Sequence, residues 1–158
     1  MTEFINKNSK NNSELEEIFA IKDKNIMVYN LCRYLEKKSS EGKRLSALSA
    51  AERVIYIVNE FKTEAVTGCG FYDFFYERED AHIDEAAACL RVVGANKMAD
   101  ICEKALITTG KTIHKSFEKP LEDIIEIIWS YDDEVRDCNE DLEKLCYKFI
   151  MKNKEKFT

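Results

Sequence analysis

The sequence predicts an all-α protein, one compact domain of about six to eight helices. Two observations on composition carry that expectation. The 158 residues include only one proline and five glycines, too few for a fold rich in tight turns, and 34% of them are charged. The third observation is spacing: apolar residues recur every three or four positions, and no segment of real length alternates with period two. The length suits one domain, and a chain of this size buries roughly 68–70% of its unfolded surface, so it folds without disulfide or metal.

Residues 1–13, "MTEFINKNSKNNS", are rich in Asn, Lys and Ser and read as a flexible N-terminal tail, leaving 14–158 as the helical domain. They hold no apolar core, so they do not read as a signal peptide. The first helical segment covers Glu14 to Lys38. Leu15, Ile18 and Phe19 make one apolar face and Met27, Leu31 and Leu35 another. The two faces are out of phase, which predicts a break near Asp23. "SSEGKRLS" then reads as a loop.

Ser49 opens "SAAE", a capping box in which the Ser hydroxyl accepts from the Glu52 amide while Glu52 reaches back. Val54, Ile55, Val58, Phe61 and Ala65 follow at helical spacing. Gly68 is expected to end that helix in the left-handed conformation that glycine tolerates. A short aromatic helix comes next, with Phe71, Phe74 and Phe75 on one face as a core plug and Tyr72, Asp73, Tyr76 and Glu77 towards the other side. A helix from Ile83 to Val93 ends at Gly94. Asn96 is expected to cap the next, which buries Met98, Ile101, Cys102 and Ala105 and stops at Gly110. Pro120 marks a first helical residue, with Glu122 and Asp123 in the favourable first turn. The last helix is expected over Asp133 to Lys152.

Net charge is −6 and the isoelectric point about 5.1. A general nucleic-acid binder carries a basic stripe, and none lies outside the last fifteen residues. No apolar run approaches the ~18 residues of a membrane span. Six scattered cysteines, without a C-x-x-C pair, read as free thiols of a cytosolic protein and not as a zinc site or a disulfide framework. No phosphate-cradling glycine loop is present, since "TGCGFY" fits neither G-x-G-x-x-G nor the P-loop. No cofactor and no metal is therefore expected.

"EDAHIDE", Glu79 to Glu85, places four carboxylates around His82. The cluster is read either as an acid–base or metal site or as acids that complement a helix N-terminus. The densest charge is "DDEVRDCNEDLE", Asp132 to Glu143, with seven carboxylates against one arginine, so its net −6 equals that of the whole chain. On one continuous helix Asp133, Asp137, Glu140 and Asp141 share a face, opposite Val135, Cys138, Leu142, Leu145, Cys146 and Phe149. That stripe is read either as a solvated face or as an acidic binding surface.

Three blocks, "LSAAERVIYIVNEFKTEAVTGCGFYDFFY", "EAAACLRVVGANKMADICEKA" and "NEDLEKLCYKFIMKNKEKF", resemble a bacterial DNA-mimic protein family defined by a domain of otherwise unknown function. The resemblance covers about residues 48–157. The family's central motif reads Asn-Gly-Gly-Phe, a variable residue, Gln and an aromatic pair. Here Gly68 stands for the Asn, Cys69 for a Gly and Asp73 for the Gln, and Glu77 replaces a later Asn. Gly70, Phe71, Phe74 and Phe75 keep the pattern, and Ala86, Leu90, Gly94, Ala95 and Ala105 also fit. The resemblance implies an all-helical protein, not an enzyme, that offers carboxylates where a DNA-binding protein expects phosphates.

The expected function is thus that of a non-enzymatic interaction protein with an acidic surface, a DNA mimic whose partner is a basic, DNA-binding protein rather than nucleic acid or membrane. The candidate partner-binding residues are Asp133, Asp137, Glu140, Asp141, Glu77, Glu79 and Asp80. A candidate pocket is formed by Tyr72, Asp73 and Tyr76. Two alternatives stay open: an immunity or antitoxin-like inhibitor of another protein, and a small enzyme using the aromatic pocket with Asp73, Glu77 or His82.

Overall fold

In the computed structural model the described residues are 13–40, 44–77, 80–109 and 121–158. Regular structure among them is helical throughout, as the spacing predicts. The elements are α1 (13–19), α2 (Lys24–Ser39), α3 (Ala50–Phe61), α4 (Phe71–Glu77), α5 (Asp80–Val93), α6 (Asn96–Thr109), α7 (Leu121–Arg136) and α8 (Leu142–Lys152). Two 3₁₀ turns, Leu45–Ala47 and Lys154–Lys156, and one π-helical turn, Lys62–Val66, complete the set. The eight α-helices among the described residues match the expected number. Most of the N-terminal tail (residues 1–12), the Gly110 stop and the Pro120 start lie outside the described residues.

The chain forms two compact units, Met1–Tyr56 with Glu143–Thr158, and Ile57–Leu142. In the first unit the expected break falls at Asp23. Its side chain accepts the amides of Asn25 at 2.9 Å and Ile26 at 3.0 Å and so starts α2. Met27, Leu31 and Leu35 of α2 are buried, as are Leu15 and Ile18 of α1. The capping box at Ser49 forms as its sequence requires, with the Ser49 amide donating to Glu52 Oε2 at 2.8 Å and the Glu52 amide donating to Ser49 Oγ at 3.3 Å. Glu52 has no solvent exposure and its charge is met by Lys38 Nζ at 2.8 Å. Burial pushes the nearby Tyr34 phenol up to about 12, with Glu52 and Glu14 adding repulsion against its ionised form.

The second unit is organised around an aromatic cluster. Phe61, Phe71, Phe74 and Phe75 have no exposure at all, so the i, i+3, i+4 face of α4 is a core plug, as its spacing predicts. The Phe61 and Phe74 rings meet edge to face, 5.5 Å between centroids. Around them α4 packs on α7 and on the π-helical turn, α5 packs on α6, and α6 packs on α7.

Three local expectations are corrected. Gly68 is not the left-handed residue; the positive φ in this turn belongs to Gly70, at 102°. Gly68 is small for another reason, because a β-carbon there would meet the carbonyl oxygens of Thr63 at 2.6 Å and Glu64 at 2.7 Å. α6 begins at Asn96 itself, so Asn96 does not cap it from outside; a carboxylate distant in sequence takes that role. The stretch from Asp133 to Lys152 is not one helix: α7 runs through Tyr131, Asp132 and Asp133 to Arg136, and α8 starts at Leu142. By contrast Gly94, with φ 95°, does end α5 as expected.

Candidate functional site

The opening of α4 is built by a residue from α7. Asp132, 2% exposed, projects inward, and its Oδ1 accepts the Phe71 amide at 2.7 Å. That amide has no partner within its own helix, so the carboxylate satisfies an orphan donor in the protein interior. The same carboxylate occupies the space that a β-carbon on residue 70 would need. Glycine at this position therefore meets two demands at once, a positive φ and an approaching carboxylate. Burial raises the Asp132 carboxyl above the usual aspartate value, and Asp133 and Asp73 add to the rise; the Phe71 amide and Arg136 oppose it.

The turn between α7 and α8, residues 137–141, carries the densest acids. The Asp137 amide still donates to the Asp133 carbonyl at 2.9 Å, so these two residues stack one helical turn apart before the chain leaves the helix. Asp133, Glu134, Asp137 and Asp141 are exposed. Asp133 pairs with Arg136 at 3.1 Å. Glu140 turns the other way: its two carboxylate oxygens accept the amides of Lys97 at 3.1 Å and Met98 at 2.9 Å. It thereby caps α6 and sets a negative charge on the positive end of that helix. Farther along, Arg91 of α5 holds Asp100 at 2.8 Å and Glu103 at 2.6 Å on α6.

Of the seven carboxylates between Asp132 and Glu143, then, Asp132 and Glu140 are engaged with backbone amides inside the unit. The shared helical face expected for Asp133, Asp137, Glu140 and Asp141 does not exist, because the helix breaks between Glu140's neighbours and Asp133. Asp133, Asp137 and Asp141 remain exposed near one turn of chain. Glu77 and Asp80 lie on the backbone of α4 and α5, but their side chains, like that of Tyr76, are outside the described residues, as is Glu79 entirely. Tyr72 and Asp73 are half-buried on α4. An open groove of about 500 Å³ lies elsewhere, in the first unit, against Leu15, Phe19, Lys154 and Phe157.

None of the six cysteines is joined in a disulfide, as expected from their scatter. Cys102 is fully buried, and burial pushes its thiol up to about 12, which makes it an inert core residue. Among the described residues no group of three His, Cys, Asp or Glu is placed to hold a metal ion, and no helix is long and apolar enough to cross a membrane. Sequence reasoning missed the inward roles of Asp132 and Glu140. Their partners stand 61 and 42–43 residues away, beyond any local periodicity.

Fold and site together define an all-helical protein whose acidic segment is partly built into its own framework and partly turned to solvent. The chain belongs to the DMP19-like protein family, a family of DNA mimics: the family model matches residues 46–153, close to the extent over which the sequence resembles it. Comparison with curated proteins and with solved structures gives no match.

Proposed function

We propose that this chain is a non-enzymatic interaction protein of the cytosol that acts as a DNA mimic, offering carboxylates to the lysines and arginines of a basic, DNA-binding protein. The observation that carries the reading is membership of the DMP19-like family over residues 46–153. The exposure of Asp133, Asp137 and Asp141 around the α7–α8 turn supports it. Asp133 and Asp137 sit one turn apart, about 6 Å along the axis, and Asp141 follows in the turn, so three exposed carboxylates stand along one short stretch of chain. Glu77, Glu79 and Asp80 are proposed as further partner-binding carboxylates. Glu140 contributes mainly by fixing the turn against α6.

The mechanism needs no chemistry beyond charge. A protein that binds DNA gains affinity from phosphate contacts, with strong dependence on salt. Carboxylates held at a helix end and in the short turn that follows it compete for the same cations without ordering a flexible chain. The test is a salt series with the basic partner, comparing wild type with Asp133→Asn, Asp137→Asn and Asp141→Asn combined. The combined variant should bind more weakly and with a shallower salt slope. Equal affinity and slope for the two proteins would reject these three residues as the binding face.

A further inference from the structure

Trp129, the chain's single tryptophan, is 58% exposed on α7. Its neighbours Ile128, Asp132 and Val135 are buried, which orients the helix. At 100° per residue Glu126 and Asp133 fall within about 60° of Trp129 on the outward side, and the exposed Arg136 falls about 20° to its other side. Glu126, Trp129 and Asp133 are all exposed. Spacings of three and four residues bring such side chains within reach of one another. One turn farther on, Asp133 already holds the guanidinium of Arg136 at 3.1 Å, both groups in solvent.

An exposed indole is an unusual element in a stripe of charge. Tryptophan is the strongest cation–π face among the side chains and is enriched among the anchors of protein interfaces. Glu126 one turn before the indole and Asp133 one turn after it favour a cation, and the Asp133–Arg136 pair on the same face shows a guanidinium already held there by a carboxylate. A guanidinium suits the arrangement better than an ammonium, because it can lie flat on the ring while its edge donates to the flanking carboxylates. We infer that the outward stripe of α7, Glu126, Trp129 and Asp133, is a docking surface for an arginine-rich face of a basic protein, with one partner arginine stacked on the indole. The inference rests on the proposal that the partner is basic; it adds the location and the preferred cation.

The experiment titrates the full chain with nonaarginine and with nonalysine peptides, reading both the tryptophan emission and the anisotropy of labelled peptide. The arginine peptide should bind several-fold more tightly than the lysine peptide and change the emission saturably. Trp129→Ala, and separately the pair Glu126→Gln with Asp133→Asn, should each weaken arginine binding about tenfold, while Trp129→Phe loses less. The circular dichroism of all variants should match wild type, since the residues are exposed. Binding of the arginine peptide with unchanged emission, and unchanged in Trp129→Ala, would overturn the α7 surface while leaving a basic partner possible. Equal affinity for the two peptides would overturn the guanidinium preference. Failure of both peptides to bind would count against the basic partner itself.

Discussion

Asp132 of α7 holds the amide of Phe71, the first residue of α4, at 2.7 Å across 61 positions of sequence. This bond ties the glycine-and-aromatic motif to the helix that leads into the acidic turn. Asp132→Ala leaves a buried amide unsatisfied, and the expected loss is about 1–3 kcal/mol. Gly70→Ala faces both a positive φ and the Asp132 carboxylate, so a loss of similar size is expected from backbone strain alone, about 1–3 kcal/mol. Urea denaturation of the two variants and wild type measures both.

The Asp132 carboxyl also gives a pH prediction. Its value is raised in the folded protein, so the folded state holds that proton more readily than the unfolded chain, whose aspartates titrate at about 3.9. The charged form is thus disfavoured on folding, and this contribution weakens the protein as pH rises through the window from the ordinary value to the raised one. Arg136 on the same helix opposes the shift, while Asp133 and, from α4, Asp73 reinforce it. Asp132→Asn keeps an acceptor for Phe71 and removes the titration. Its melting temperature relative to wild type should therefore improve as pH rises through that window. A relative decline over the same window would mean that the carboxylate is favoured in the folded state.

Glu140 should behave as a structural cap. Glu140→Ala removes the acceptor of two amides, and a cost of about 0.5–2 kcal/mol is expected. Hydrogen exchange should speed up at Lys97 and Met98, the two amides it holds. Asp137→Asn, at an exposed position, should change stability by under about 0.5 kcal/mol. Similar exchange rates at Lys97 and Met98 in wild type and Glu140→Ala would remove the capping role.

Phe74 tests the plug. Its ring is fully buried and meets Phe61 edge to face, and truncation of a buried phenylalanine to alanine costs about 3–5 kcal/mol. Phe74→Ala should lower the denaturation midpoint by a corresponding amount. A variant of wild-type stability would show that the aromatic cluster is not core.

What the sequence made legible follows the range of the interactions concerned. The Ser49–Glu52 capping box, the Asp23 start of α2, the Gly94 stop and the Phe71, Phe74, Phe75 face all arise from contacts within a few residues, and local spacing encodes them. The break after Arg136 was hidden because no glycine or proline marks it, and helical periodicity reads smoothly across "DCNEDLE". The Gly68 expectation failed because two glycines stand two apart, and only the backbone path, with a π-helical turn before it, decides which one takes positive φ. Among the candidate site residues, the exposed positions of Asp133, Asp137 and Asp141 agree with a simple hydrophilic pattern. Glu140 does not, because its cap depends on α6 being brought beside the turn by the fold.

If the chain is a DNA mimic, its basic partner uses one and the same surface for the chain and for DNA. The direct measurement is competition: a complex of the chain with its basic partner, challenged with rising concentrations of duplex DNA at fixed salt. DNA should displace the chain to completion, and the chain in turn should release the partner from DNA, with the variant lacking the Asp133, Asp137 and Asp141 charges needing a much higher concentration to do so. A ternary complex that persists at saturating DNA, with chain, partner and duplex all bound, would contradict it.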